Sequence, residues 1–268
     1  MECKFKSYFL IGEYSLQKLL PSDKKFLIKF AQKRKRLMKI VILAAMGKEL
    51  KMIEAAMDGA EKSETDGIDI IEGKIGNHDI IAAQCGIGKV NSAMRAYKMI
   101  ERFSPDLVVN SGVAGGADLS MKVGTVLVAD RIVYHDVWCG PGTEYGEADG
   151  CPLYFMADSR VVRLSGATED GNLRKGLICT GDIFVSKEEE VRNIKSKFPD
   201  ALAVDMESAS IAQVCHMTGT PVAVIRIVSD TPGSGDNISQ YKNFWNEAPE
   251  KSFEIVKSVI SRLDNGNI

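Results

Sequence analysis

Residues 39–57 read KIVILAAMGKELKMIEAAM, and the change of pattern inside them decides the fold. Ile40 to Ala45 form an unbroken, β-rich apolar run, as expected of a short strand. From Gly47 the apolar residues shift to helical spacing, at Leu50, Ile53 and Met57. Strand followed directly by helix is the opening of an α/β unit.

The same alternation continues toward the C-terminus. Residues 68–85, IDIIEGKIGNHDIIAAQC, read as two strands joined at Gly76-Asn77, and residues 90–103, VNSAMRAYKMIERF, carry the 3.6-residue period of an amphipathic helix. Strands are predicted at DLVVN (106–110), TVLVADRIVYHD (125–136), GLICTGDIF (176–184), ALAVDM (201–206) and PVAVIRIVSD (221–230). Helices are predicted after Ser186, which is placed as an N-cap, over ESASIAQVCHM (207–217), and from about Gln240 to Leu263. Apolar strands alternating with helices imply a mixed, largely parallel sheet covered on both faces. Residues 38–268 contain no internal repeat and no linker, and are expected to form a single domain.

Residues 1–37 stand apart. They hold ten Lys or Arg against Glu2, Glu13 and Asp23, which leaves residues 38–268 at a net charge of −9 within a total of −2. An acidic body argues against a nucleic-acid partner, whose phosphates require a basic face, and favours a small metabolite. The extension lacks the apolar core and cleavage site of a secretory signal and is no transmembrane span. Its basic end, KKFLIKFAQKRKRL, fits either an amphipathic contact or an appended tail upstream of a working start at Met38; the tail is the expectation adopted, with no membrane partner. Six scattered cysteines without a C-x-x-C pair, and only three histidines, imply a reducing cytoplasmic compartment and no metal.

In open α/β sheets ligands bind beyond the carboxyl ends of strands. Those positions read AAMGKE, QCGIGK, NSGVAGG, TGDIFV, VDMES and IVSD. Gly86, Gly88, Gly112, Gly115 and Gly116 permit either tight turns or close approach to a ligand. They match no dinucleotide fingerprint, because position 91 is Asn, and no P-loop. Glu49, Glu207 and Asp230 all fall within a few residues of a strand end. Each alone fits a cap or a solvated charge; together they suggest one concave acidic site, with parallel strands delivering them to one edge.

The ordered set MKIVILAAMGKE, CGIGKV, NSGVAGG, TGDIF, VDMES and RIVSD resembles the 5′-methylthioadenosine/S-adenosylhomocysteine nucleosidases of the nucleoside phosphorylase superfamily. The resemblance implies a three-layer αβα sandwich, a homodimer, no metal or organic cofactor, and release of adenine from a 5′-thio-substituted purine nucleoside by water. It implies that Asp230 protonates adenine N7, oriented by Ser229, and that Glu49 activates water. Glu207 anchors the ribose hydroxyls, with Met206 lining the sugar pocket and Arg226 beside the water. Phe184 stacks on adenine, the backbone of Val185 reads its edge, and Ala114 and Gly115 contact the ligand. Met46, Ile87 and Tyr241 are the implied thioether pocket, and the segment YHDVWCGPGTEYG (134–146) is either an interface element anchored by Trp138 or a purely intramolecular turn. The chain departs from some members at Val113, where they carry a hydroxyl, and at Asp205, where many have Glu.

Cleaving an N-ribosidic bond builds positive charge on the sugar and negative charge on the base, a problem close to glycoside hydrolysis. Two differently tuned carboxyl groups meet it, one protonated and one ionised. A purine nucleoside phosphorylase on the same fold, a non-catalytic nucleoside-binding protein and an enzyme for another adenine nucleoside stand as alternatives. Hydrolysis is preferred because the first loop carries Glu49 and CGIGKVNSA offers no arginine before Arg95.

Overall fold

The computed structural model describes residues 37–65, 67–168, 171–234, 236–247 and 249–263. The basic extension therefore lies outside the described residues, apart from its final residue, Leu37. The first half runs β1 (Lys39–Ala44), α1 (Gly47–Ala56), β2 (Asp58–Thr65), β3 (Ile68–Ile75), β4 (His78–Gln84), α2 (Lys89–Phe103), β5 (Leu107–Gly116) and β6 (Val126–Tyr134). The second runs β7 (Phe155–Met156), α3 (Ser159–Ser165), β8 (Leu173–Thr180), α4 (Glu188–Lys197), β9 (Ala201–Asp205), α5 (Ser208–Thr218), β10 (Val222–Asp230), α6 (Asn237–Glu247) and α7 (Pro249–Arg262).

Strand periodicity builds the layers. Successive side chains of β1 point to opposite faces. Val41 and Leu43 enter a core with Ala96 and Met99 of α2 and Ile211 and Cys215 of α5. Ile40, Ile42 and Ala44 enter a second core with Ile53 of α1 and Phe253 and Val256 of α7. Helices thus cover both faces of the mixed sheet, the αβα arrangement expected.

Two parallel blocks make up the sheet. β4, β1, β5 and β10 run parallel to one another, as do β6, β8 and β9. Antiparallel seams join the blocks at β10–β6 and β5–β9, and β3 and β2 complete the edge. Because β5 pairs with both β10 and β9, the strands β5, β10, β6, β8 and β9 close into a ring.

This topology corrects the expected reason for convergence. The two blocks run in opposite directions, so parallel strands do not deliver all six motifs to one edge. They meet where β5 leaves β1 after Asn110 and pairs with β9 at Gly115 and Gly116, which brings the ends of β9 and β8 back over the middle of β5.

Local expectations are corrected in three places. β2, DGAEKSET, is an extra strand with almost every residue exposed, so it shows no apolar alternation to read. The C-terminal helix begins at Asn237 and not at about Gln240, and is described over Asn237–Glu247 and Pro249–Arg262. At α4 the cap is made by Glu190, whose Oε2 accepts the backbone N–H groups of Ser186 (2.8 Å) and Lys187 (2.9 Å); the side chain of Ser186 is not the cap. The predicted hairpin at Gly76-Asn77 forms, with Ile75 opposite His78 and a positive φ at Gly76, the II′ pattern.

Candidate active site

The motifs line an open-mouthed cleft. Glu49, Ser229, Asp230 and Glu207 line its polar side, and Met46, Ile87, Phe184, Val185, Met206 and Tyr241 its apolar side, over a floor that includes Ala114 and Gly115. The residues given catalytic or substrate-binding roles all line this cleft except Arg226, which is buried behind it and touches Glu207, whereas of the five glycines only Gly115 lines it.

Glu49 sits in the first turn of α1. Its Oε2 accepts the Met46 N–H (2.9 Å), closing the helix N-terminus, and its Oε1 accepts the Val113 N–H (2.9 Å) from β5. Gly112 makes this approach possible: a Cβ there would stand 2.5 Å from both Glu49 Oε1 and Arg226 Nη1. Sequence alone left this glycine open between turn and ligand contact; its use is to let an acid and a guanidinium meet over one strand. Burial raises the Glu49 pKa above its ordinary value, against the lowering effect of Arg226 and the backbone donors.

Asp230 ends β10. Ser229 Oγ donates to its Oδ1 (2.7 Å), and burial raises its pKa against that bond and one from Asn237. Glu207, between β9 and α5, accepts the Gly88 N–H through Oε1 (3.1 Å) and Arg226 Nη2 through Oε2 (3.3 Å). Burial, partly offset by Arg226 and reinforced by Asp205, pushes Glu207 up to about 7. Three carboxyl groups poised to hold protons around one cleft can divide acid and base work among themselves.

Arg226 is 1% exposed. Its Nη2 donates to Asp205 Oδ2 (2.5 Å) and Asn110 Oδ1 (2.6 Å), closer partners than Glu207. Asp205 also accepts from Thr180 Oγ1 (2.5 Å) and from the Ser208 hydroxyl. Asn110 was not singled out as a site residue, and Asp205 was noted only as a departure. The available signal was a polar side chain closing an apolar strand, as in DLVVN, which must find a partner when buried. Cys85 is also buried here, and its thiol is pushed far up by burial and by Glu207, which leaves it no nucleophilic thiolate.

On the apolar side, Phe184 remains 48% exposed and meets Tyr241 edge-on at 5.8 Å. Tyr241 Oη lies 3.4 Å from Met46 Sδ, which ties α6 to the loop after β1. Both rings line the cleft and give its wall an aromatic surface.

A profile of the phosphorylase superfamily matches residues 39–261. A 5′-methylthioadenosine/S-adenosylhomocysteine nucleosidase of Geobacillus sp. (strain WCH70) is 36% identical over 231 residues, covering 84% of this chain and 99% of that protein. The chain belongs to this nucleosidase family. Among solved structures, the S-adenosylhomocysteine nucleosidase of Streptococcus pyogenes in complex with 5-methylthiotubericidin superposes with a TM-score of 0.80 at 37% identity, covering 85% of this chain and 98% of that one. The S. pneumoniae nucleosidase with the transition-state inhibitor MT-ImmA gives 0.79 at 37% identity, covering 84% and 100%.

Within the nucleosidase family, the Asp205 and Val113 departures can now be placed. Asp205 keeps a direct hydrogen bond to Arg226 despite the shorter side chain. Val113 contributes its backbone N–H to Glu49, and its side chain packs against the core shared by α1 and α7.

Proposed function

We propose that this nucleosidase-family chain hydrolyses the N-ribosidic bond of 5′-methylthioadenosine and S-adenosylhomocysteine, releasing adenine. The observation that carries the choice of water over phosphate is the charge of the cleft. Among the described residues its lining holds Glu49, Asp205, Glu207 and Asp230 and no Lys, Arg or His. The adjacent guanidinium of Arg226 lies behind the lining, with its Nη2 donating to Asp205, Asn110 and Glu207. A phosphate dianion needs cationic or fork-like donors, and this lining presents none.

In this reading the purine lies on Phe184 with its edge at the Val185 backbone, and Asp230, oriented by Ser229, gives its proton to N7. Burial keeps Asp230 protonated at higher pH than an exposed aspartate, so the departing base leaves neutral. Glu207 accepts the ribose hydroxyls and places negative charge beside the developing cation. Glu49, fixed by two backbone N–H groups, takes a proton from the attacking water, with Arg226 favouring its ionised form. Met206, Ala114 and Gly115 wall the sugar, and Met46, Ile87 and Tyr241 take the thioether.

A homodimer in the cytoplasm completes the proposal. On α2, Val90, Met94 and Tyr97 are exposed at i, i+4 and i+7, an apolar stripe suited to burial against a second copy. Trp138 is exposed as well and supports a further contact.

Adenine release from 5′-methylthioadenosine in phosphate-free buffer is the test. The expected rate is unchanged by added phosphate; strict dependence on phosphate would make the chain a phosphorylase.

A further inference from the structure

The loop that carries Phe184 and Val185 follows β8, and its first residues are held from behind. Gly181 N–H donates to the Asp205 carbonyl (3.1 Å), and Asp182 N–H donates to Asp136 Oδ2 (2.9 Å). Asp182 Oδ1 in turn accepts the backbone N–H of Lys89 (2.7 Å), and Lys89 Nζ donates to the same Asp136 oxygen (2.8 Å). These bonds close a ring linking the purine loop, the end of β6 and the first residue of α2. The Lys89 ammonium also lies 5.5 Å from the Tyr134 ring centroid, and Tyr134 Oη donates to Gln213 Oε1 (2.7 Å).

The ring reaches the sugar side through one residue. Gly88, immediately before Lys89, gives its N–H to Glu207 Oε1 (3.1 Å). Its φ of +89° is accessible to glycine, and a Cβ there would stand 3.0 Å from Asp182 Oδ1. Lys89, Asp136 and Asp182 do not line the cleft. The side chains of Lys89 and Asp136 are 23% and 19% exposed, so their ion pair is only partly screened by solvent.

We infer that Lys89, Asp136 and Asp182 are positioning residues that fix the purine wall and the Gly88 donor to Glu207 in one register, so that the base and sugar subsites are set as a unit. The inference rests on the cleft being the nucleoside site. Without the ammonium, Asp136 keeps a single backbone donor, and α2 holds the purine loop only through the Lys89 backbone N–H on Asp182. A charge-assisted hydrogen bond is worth about 1.5–3 kcal/mol, which corresponds to roughly a tenfold or larger change in affinity.

Lys89→Met should therefore raise KM for 5′-methylthioadenosine roughly tenfold and weaken adenine as a product inhibitor in parallel. The value of kcat should stay within about threefold, because Asp230 and Glu49 are untouched. Lys89→Arg, which restores a donor to Asp136, should recover most of the loss. Unchanged KM and adenine inhibition with only a lower Tm would overturn the inference, as would a loss confined to kcat. If Lys89→Met does not fold, Asp182→Ala on the more exposed loop carries the same test, with the same KM-selective loss expected and an unchanged KM overturning it. A wild-type chain that releases no adenine refutes the proposed function instead, so the two failures are distinguishable.

Discussion

Asp230→Asn lowers kcat for adenine release by about 100- to 10,000-fold, the usual worth of one positioned proton transfer, while substrate binding is largely kept. The asparagine preserves the shape of the side chain at the end of β10 and can still accept the Ser229 hydroxyl, which lies 2.7 Å from Oδ1 in the native chain. It cannot pass a proton to the purine. The loss therefore belongs to the transition state, where negative charge moves onto the base. Because Asp230 must be protonated to act, and burial raises its pKa, native kcat should fall as pH rises through that value. The variant should show no such limb. Steady-state kinetics on 5′-methylthioadenosine across pH check both points, and a variant with native kcat would remove Asp230 from the acid role.

Glu49→Gln should give a loss of the same order, about 100- to 10,000-fold in kcat, on the opposite limb. The base must be ionised to accept a proton from water, so native kcat falls as pH drops through the raised pKa of Glu49. The variant should lack that acid limb. The substitution also has a structural consequence, since both native carboxylate oxygens accept backbone N–H groups, from Met46 and Val113. A glutamine accepts through one atom and turns an amide N–H₂ toward the other donor, a mismatch costing about 1–3 kcal/mol. Adenine affinity separates the effects. Purine binding relies on Phe184, Val185 and Asp230, so it should persist in Glu49→Gln while hydrolysis is lost; adenine binding lost together with activity would mean that the site had collapsed.

Much of this was readable from sequence for physical reasons. The run at Ile40–Ala45 and the switch of period at Gly47 identified β1 and α1 because burial on both faces and on one face leave different patterns. Glu49, Glu207 and Asp230 stood out because they fall within a few residues of predicted strand ends, where open α/β sheets bind ligands, and the structure brings all three to one cleft. Asn110 and Asp205 escaped notice because their work is to satisfy Arg226 from within the protein, and a pairing across 116 or 21 residues leaves no local trace. β2 escaped because an exposed edge strand carries charge in place of alternation. The ring closed by β5 was equally hidden: no spacing in the chain says that one strand exchanges β1 for β9 partway along its length.

The claim beneath all of this is that Asp230 and Glu49 act on opposite ends of one bond in a bound nucleoside. A crystal structure of this chain with a non-hydrolysable 5′-methylthioadenosine analogue tests it most directly. Expected are purine N7 within about 3 Å of the Asp230 carboxyl group, ribose hydroxyls on Glu207, and an ordered water between Glu49 and the anomeric carbon. A purine turned so that Asp230 meets the sugar, or a Glu49 carboxylate with no water path to the anomeric carbon, would contradict it.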